Sequence, residues 1–308
     1  MLVSRSTMET AYHIPVLLHE SIDALVSDPN GVYVDLTFGG GGHSQEILNR
    51  LSDKGKLISF DKDINAHENQ IEDERLTLVG HNFRYAKHFL HYLKKNPVDG
   101  ILGDLGISSN QINTDERGFA HRLNGPLDMR MDVSNPITAE YILENSSVQE
   151  LSKIFKEYGE IQKSYKLAQS IDQLKGHGNF STVEKLKNAI ESFIPKKDPS
   201  RFLSQVFQAL RIAVNDELTD LKRILIDAAD LIKADGKLVV ISYHSLEDRL
   251  VKNLINTGNI EGERITDLYG NPQKSFEATP RKPIVPSEQE LIENPRSRSA
   301  KLRIGTKL

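Results

Sequence analysis

Short β-branched and apolar runs alternate with amphipathic stretches from Gly31 to about Ser108, the rhythm of a parallel sheet joined by crossover helices. The runs predict strands over 32–38, 57–60, 76–79 and 98–105, with helices over 44–51, 63–71 and 84–95 between them. Late in the chain, KLVVISY over 237–243 reads as another strand, buried on both faces. An amphipathic helix precedes it, its apolar positions being Leu218, Leu221, Leu225, Ala228 and Leu231.

Between these two sheet-forming portions, about a hundred residues show no strand pattern. Ser147-x-x-Glu150 and Ser181-x-x-Glu184 are capping-box signatures, each opening a helical pattern. Phe202, Val206, Ala209, Leu210 and Ala213 mark the inner face of a further helix. The expectation is a discontinuous α/β domain over 1–112 and 216–308, interrupted by a mostly helical domain over 113–215 that leaves on the ligand-binding side of the sheet. The C-terminal portion is basic: Lys274, Arg281, Lys282, Arg296, Arg298, Lys301, Arg303 and Lys307 outnumber Glu277, Glu288, Glu290 and Glu293. Leu302 and Ile304 within it suggest a closing strand.

The first strand runs through Asp35-Leu36-Thr37-Phe38 into four glycines, Gly39 to Gly42, followed by His43-Ser44 at a helix start. A strand, a loop without side chains and a helix N-terminus make a backbone cradle for a nucleotide-like cofactor. The second strand ends at Asp61, where an acid is placed to hold two ribose hydroxyls. An adenosine-containing ligand is implied.

Composition narrows the chemistry. With 308 residues and 38% hydrophobic content the chain can bury a substantial core. No apolar run is long enough to span a membrane, and Met1 to Thr10 lacks the apolar stretch of a secretory signal; a cytoplasmic location is expected. Cysteine is absent, which removes disulfides, thiolate metal sites and cysteine nucleophiles; no metal site is expected. The net charge of -4 does not advertise nucleic-acid binding across the whole chain, so any such surface has to be local.

Three cofactors compete for the glycine loop. A P-loop needs Lys followed by Ser or Thr after the glycines, and His43-Ser44 stands there instead. A dinucleotide fingerprint needs a third glycine where Ser44 stands. S-adenosylmethionine has no phosphate and carries ammonium and sulfonium charges, which the strand-end acids Asp35 and Asp104 suit.

At this point the residues resemble a family. The motifs are His13-x-Pro15-Val16-Leu17-Leu18-x-Glu20, Asp35-x-Thr37-Phe38-Gly39-x-Gly41-Gly42-His43-Ser44, Asp104-Leu105-Gly106-x-Ser108-Ser109-x-Gln111 and Glu116-Arg117-Gly118-Phe119. Further on stand Gly125-Pro126-Leu127-Asp128-Met129-Arg130-Met131-Asp132, Phe207-Gln208-Ala209-Leu210-Arg211-Ile212, His244-Ser245-Leu246-Glu247-Asp248-Arg249 and Asn294-Pro295-Arg296-x-Arg298-Ser299. This ordered set resembles the RsmH (MraW) family of ribosomal RNA small subunit methyltransferases. The resemblance implies an α/β class I, Rossmann-like methyltransferase fold and S-adenosyl-L-methionine as cofactor. It also implies N4-methylation of a decoding-centre cytidine in 16S rRNA, within the small ribosomal subunit. Carried over by position, the cofactor site comprises Gly41, Gly42, His43, Asp61, Phe83 beside adenine, Asp104 and Gln111. The chain departs from the family pattern at Ala120-His121, where a Ser and an aromatic residue are usual, at Asn124, where an acid is common, and at Asn113, where Asp is frequent.

Without cysteine, methylation at cytosine C5 through a thiolate adduct is disfavoured, and attack has to come from a nitrogen or oxygen lone pair. Many amino-methyltransferases place an Asp/Asn-Pro-Pro-aromatic motif after the fourth strand. Here Asp104-Leu105-Gly106-Ile107-Ser108-Ser109 lacks both prolines and aromatic. Asp104 is the candidate catalytic residue, serving the cofactor, the amine or both, with His244 as a second candidate. The helical insertion and basic tail are the expected RNA-holding surfaces, with Arg117, Arg130, Lys196, Lys197 and Arg201 as phosphate contacts. A non-catalytic ribosome-assembly factor on the same fold is the rival from another functional class.

Overall fold

The computed structural model describes residues 15–308, apart from the side chains of Ser109 and Asn110. His13 of the first motif and the leader reading of Met1 to Thr10 lie outside the described residues. Seven strands form one sheet: β1 (Val32–Asp35), β2 (Lys56–Phe60), β3 (Leu76–Val79), β4 (Val98–Asp104), β5 (Ile232–Ser242), β6 (Phe276–Ala278) and β7 (Lys301–Lys307). Their order is β3-β2-β1-β4-β5-β7-β6. The first five are parallel and β7 lies antiparallel between β5 and β6. This is the α/β class I, Rossmann-like arrangement, and the expected closing strand at Leu302 and Ile304 is β7.

The helices in chain order are α1 (Leu18–Leu25), α2 (Gly42–Arg50), α3 (Ala86–Tyr92), α4 (Ser109–Asn113), α5 (Ala139–Asn145), α6 (Val148–Glu157), α7 (Ser164–Asp172), α8 (Val183–Ala189), α9 (Pro199–Asn215), α10 (Glu217–Leu231), α11 (Ser245–Thr257) and α12 (Glu288–Glu293).

Side chains alternate across the strands, so Val34, Ile58, Ile101 and Val240 enter one apolar cluster while Tyr33, Leu57, Leu102 and Val239 enter another. The buried members of a third cluster all lie between Phe119 and Val214, including Phe155, Phe180, Val206 and Leu210, with Ile107 packed against them. Those residues build a core of their own from α5 to α9. At α10 most of the expected stripe holds: Leu221, Leu225, Ala228 and Leu231 are buried, joined by Ile224, whereas Leu218 in the first turn is only half-buried.

Several element boundaries differ from the sequence expectation. β1 stops at Asp35 rather than Phe38 because the Asp35 carboxylate accepts from Thr37 N at 3.0 Å and turns the chain. Phe38 N then bonds the carbonyl of Phe60, the last residue of β2, at 2.9 Å. The stretch over 63–71 is a 3-10 helix, Ile64–Asn69, capped by Asp63. Ser147 with Glu150 makes the full capping box of α6, whereas α8 is capped by Thr182 and not Ser181. Glu184, the expected partner of Ser181, accepts instead from Asn124 Nδ2 at 3.0 Å. Among the described residues no helix is long and apolar enough to cross a membrane.

Candidate active site

Strand order reverses between β1 and β4, and a crevice opens there at the carboxyl ends of the parallel strands. It is a cavity of about 670 Å³, within the usual range for small-molecule sites. Gly39, Gly40, Asp61, Phe83, Asp104 and Tyr243 are among its walls.

The loop after β1 is shaped from beneath. Asp35 is fully buried, and its second oxygen accepts from Ser44 Oγ at 2.7 Å. Both oxygens are spent on the loop and on the first turn of α2. Asp35 does not line the cavity, which corrects the expectation that it faces a sulfonium. Gly41 has φ 78° and donates its N–H to Phe38 O at 2.7 Å. It is the turn residue of the loop and, unlike Gly42 and His43, does not line the cavity. At Gly42 a Cβ would stand 2.3 Å from Pro15 Cγ, so this position is set by close packing. At Gly40, which the sequence reading passed over, a Cβ would meet nothing within 4 Å. Gly39 (φ 51°) donates its N–H to Asp61 Oδ2 at 2.8 Å, tying the loop to the end of β2.

Asp61 also accepts from Asp63 N at 2.8 Å, and burial raises its pKa above the ordinary carboxylate value. Phe83 stands half-buried after β3, packed on the sheet's core. Gln111 lines the cavity, yet its amide is engaged: Nε2 donates to Asp63 Oδ2 at 2.8 Å and Oε1 accepts from Ser108 N at 3.1 Å. Asp63 is the residue the sequence reading missed. Its carboxylate also receives Arg117 Nη2 at 2.8 Å, and the same nitrogen reaches Arg130 O at 2.8 Å. Arg130 is held by Asp128 through two bonds of 2.8 Å. Arg117 and Arg130, expected on phosphates, therefore serve internal structure. Lys196, Lys197 and Arg201 are exposed, with no side-chain partner among the described residues.

At the end of β4, Asp104 accepts from Tyr243 Oη at 2.8 Å, and its other oxygen lies 3.8 Å from His43 Nδ1. His43 Nε2 is 3.2 Å from Val16 O, and a carbonyl only accepts, so this nitrogen carries a proton. Burial is the main cause that pushes the Asp104 carboxyl up to about 6, with Asp35 and Glu247 adding to it against the pull of His43 and Tyr243. Tyr243 is the first residue past β5, and burial beside Asp104 holds its phenol well above the ordinary value. His244, the second candidate, caps α11 in a capping box with Glu247 and is absent from the cavity wall. Its neighbour Tyr243 takes the place facing Asp104. Arg211, from α9, reaches the cavity while paired with Glu217 by two bonds of 2.9 Å. Among the described residues no group of three His, Cys, Asp or Glu side chains is placed to hold a metal.

A family model described as the MraW methylase family matches residues 10–308. The chain is similar to the ribosomal RNA small subunit methyltransferase H of Bacteroides fragilis strain YCH46, 48% identical over 299 residues that cover 97% of this chain and 98% of that protein. The protein of the same name from Flavobacterium johnsoniae is 46% identical over 303 residues, covering 98% and 99%. A solved rRNA methylase from Streptococcus thermophilus matches with a TM-score of 0.39 and 14% identity, covering 96% of this chain and 99% of that one.

Proposed function

This chain belongs to the MraW methylase family, and from that premise we propose that it is an S-adenosylmethionine-dependent methyltransferase acting on N4 of a cytidine in 16S rRNA of the small ribosomal subunit. The observation that carries the reading is a carboxylate, Asp104, held by a phenol in the wall of a cavity that a glycine loop and Asp61 shape.

The residues present fit the cofactor. Gly39 and Gly40 leave a cradle that a side chain at residue 40 would fill, and Asp61 keeps carboxylate lone pairs for ribose hydroxyls beyond its two backbone bonds. Gly42 and His43 complete the loop, Phe83 offers a flat apolar face for adenine, and Gln111 holds Asp63 and Ser108 in place. When bound, S-adenosylmethionine supplies a methyl carbon open to in-line displacement. Catalysis by the chain is then mostly positioning.

An exocyclic amine conjugated with its ring is a weak nucleophile. The Asp104 carboxylate accepts one of its N–H bonds, draws the lone pair out of conjugation and takes the proton released. Tyr243 fixes the carboxylate's orientation through its hydroxyl. A pKa near 6 leaves Asp104 ionised at neutral pH yet close to the value at which a general base works best. The target base leaves its stack to reach this site, at a cost of about a few kcal/mol that is least in single-stranded or loop RNA. The helices between residues 113 and 215 supply the RNA-holding surface, where Lys196, Lys197 and Arg201 are free to meet phosphates.

Mass spectrometry of nucleosides from 16S rRNA tests the reading. Cells lacking the gene should lose N4-methylated cytidine at one position, and cells complemented with the wild-type chain should regain it. Unchanged methylation after deletion sinks the assignment. Offering purified protein both naked RNA and assembled subunits identifies the form it accepts.

A further inference from the structure

The C-terminal segment brings a second arginine to the cavity. Arg296, just after α12, lines the wall, and its Nη2 donates to Asn113 Oδ1 at 2.5 Å. Its Nη1 is buried with no hydrogen-bond partner among the described residues. Arg122 points at the same amide oxygen, Nη2 to Oδ1 3.4 Å. Neither guanidinium has a carboxylate within ion-pair distance among the described residues, whereas Arg117, Arg130 and Arg211 each have one. Asn113, where the family pattern has a frequent Asp, offers an oxygen without a charge.

Two cations sharing one neutral acceptor repel, and in the half-buried Arg296 the shielded Nη1 is left without an anion to offset its lost hydration. Arg122 contributes, after burial, to holding Arg296 below its ordinary basicity. The strip continues: His121, next in the chain, is lowered by burial and then by the charges of Lys187 and Arg122. The Glu184 carboxylate receives Asn124 Nδ2 and pairs with neither arginine among the described residues. The arrangement lacks an anion.

We propose that Arg296 and Arg122 form a subsite for a backbone phosphodiester of the RNA, next to the nucleotide whose base enters the cavity. This rests on reading the chain as an RNA methyltransferase. Arg296 faces the cavity while Arg122 is exposed on the surface, so the pair spans the lip that a strand must cross. A small cofactor held inside would engage Arg296 alone. Planar guanidinium forks suit phosphate oxygens.

The test is fluorescence anisotropy of a labelled single-stranded RNA carrying the cytidine loop, titrated across salt concentrations with wild type, Arg122→Gln, Arg296→Gln and Arg296→Lys. Calorimetry with S-adenosylmethionine runs in parallel. Each Gln variant should bind RNA about three- to tenfold more weakly and lose about 0.7 from the slope of log Kd against log salt. Arg296→Lys should keep the slope, and cofactor affinity should stay put in all. Arg122 is exposed, so its variant reports even if Arg296→Gln folds poorly. RNA affinity and slope unchanged in Arg122→Gln overturn the subsite, as does weakened cofactor binding with RNA binding intact. Should that happen while wild type still methylates RNA, only the subsite falls. A wild type that binds the cofactor but no RNA overturns the function and the subsite together.

Discussion

At the scale of single residues, Asp104 ties function to pH. Its folded pKa of about 6 stands above the ordinary 3.8 because burial disfavours the charged form. Methyl transfer should therefore rise with pH through an inflection near 6, as the accepting carboxylate forms. Asp104→Asn should remove that limb and lower turnover at least about 100-fold. Stability moves the other way. The native state holds the Asp104 proton more tightly than the unfolded chain, so this group's contribution is lost as pH rises from about 4 to about 6. Asp104→Asn should gain on wild type across that window, by up to about 3 kcal/mol at pH 7. Tyr243 holds the pKa down by donating to the carboxylate, so Tyr243→Phe should move the inflection upward. A rate profile flat from pH 5 to 8 would remove Asp104 from the chemistry. Gly40 gives a second check, because a Cβ there meets open space. Gly40→Ala should leave the melting temperature unchanged and weaken S-adenosylmethionine binding about tenfold by calorimetry; unaltered affinity would move the cradle elsewhere.

At the scale of elements, the start of α8 shows what local pattern reveals and what it does not. Ser146 and Ser147 stand in series before α6, only Ser147 has a Glu three residues on, and the box forms there as read. At α8 the chain offers two hydroxyls in series, Ser181 and Thr182, and both suit an N-cap. The choice falls to a tertiary contact, since Asn124 bonds the Glu184 side chain and also accepts from its backbone N–H at 3.3 Å. Thr182→Ala should therefore cost about 1 kcal/mol in denaturant unfolding, and Ser181→Ala less than about 0.5 kcal/mol. Equal losses would restore the Ser181 cap. The same limit explains the site. Strands, glycine loop and the acids at 61 and 104 follow a local grammar of period and turn chemistry. The partners that define their roles come from far along the chain: Arg117 on Asp63, 54 residues away, and Tyr243 on Asp104, 139 residues away. No spacing rule announces such pairs, which is why His244 drew attention and the residue before it did not.

At the scale of the molecule, the question is whether the core between Phe119 and Val214 is coupled to the sheet. The cavity draws its wall from both: Gly39, Asp61 and Asp104 belong to strand ends, while Met131 is a member of the separate core and Arg211 rises from α9. The joint is dense in polar contacts. Asn215, closing α9, accepts from Met131 N and donates to Met129 O, both at 2.7 Å, and its own carbonyl receives Lys62 Nζ at 3.1 Å. Lys62 follows Asp61 directly. A ligand held at Asp61 and Asp104 thus rests against groups whose order depends on α9, and stabilising one set stabilises the other. Hydrogen exchange reads this out. S-adenosylmethionine at about 100 times its Kd stabilises the bound state by about 2.7 kcal/mol, so amides that exchange through global opening should slow about 100-fold. The slowing should cover α9 as well as β1 and β4. Protection confined to the sheet, with α9 exchanging at its free rate, would mean that the two cores open independently and that the cavity wall from Met131 and Arg211 is incidental to cofactor binding.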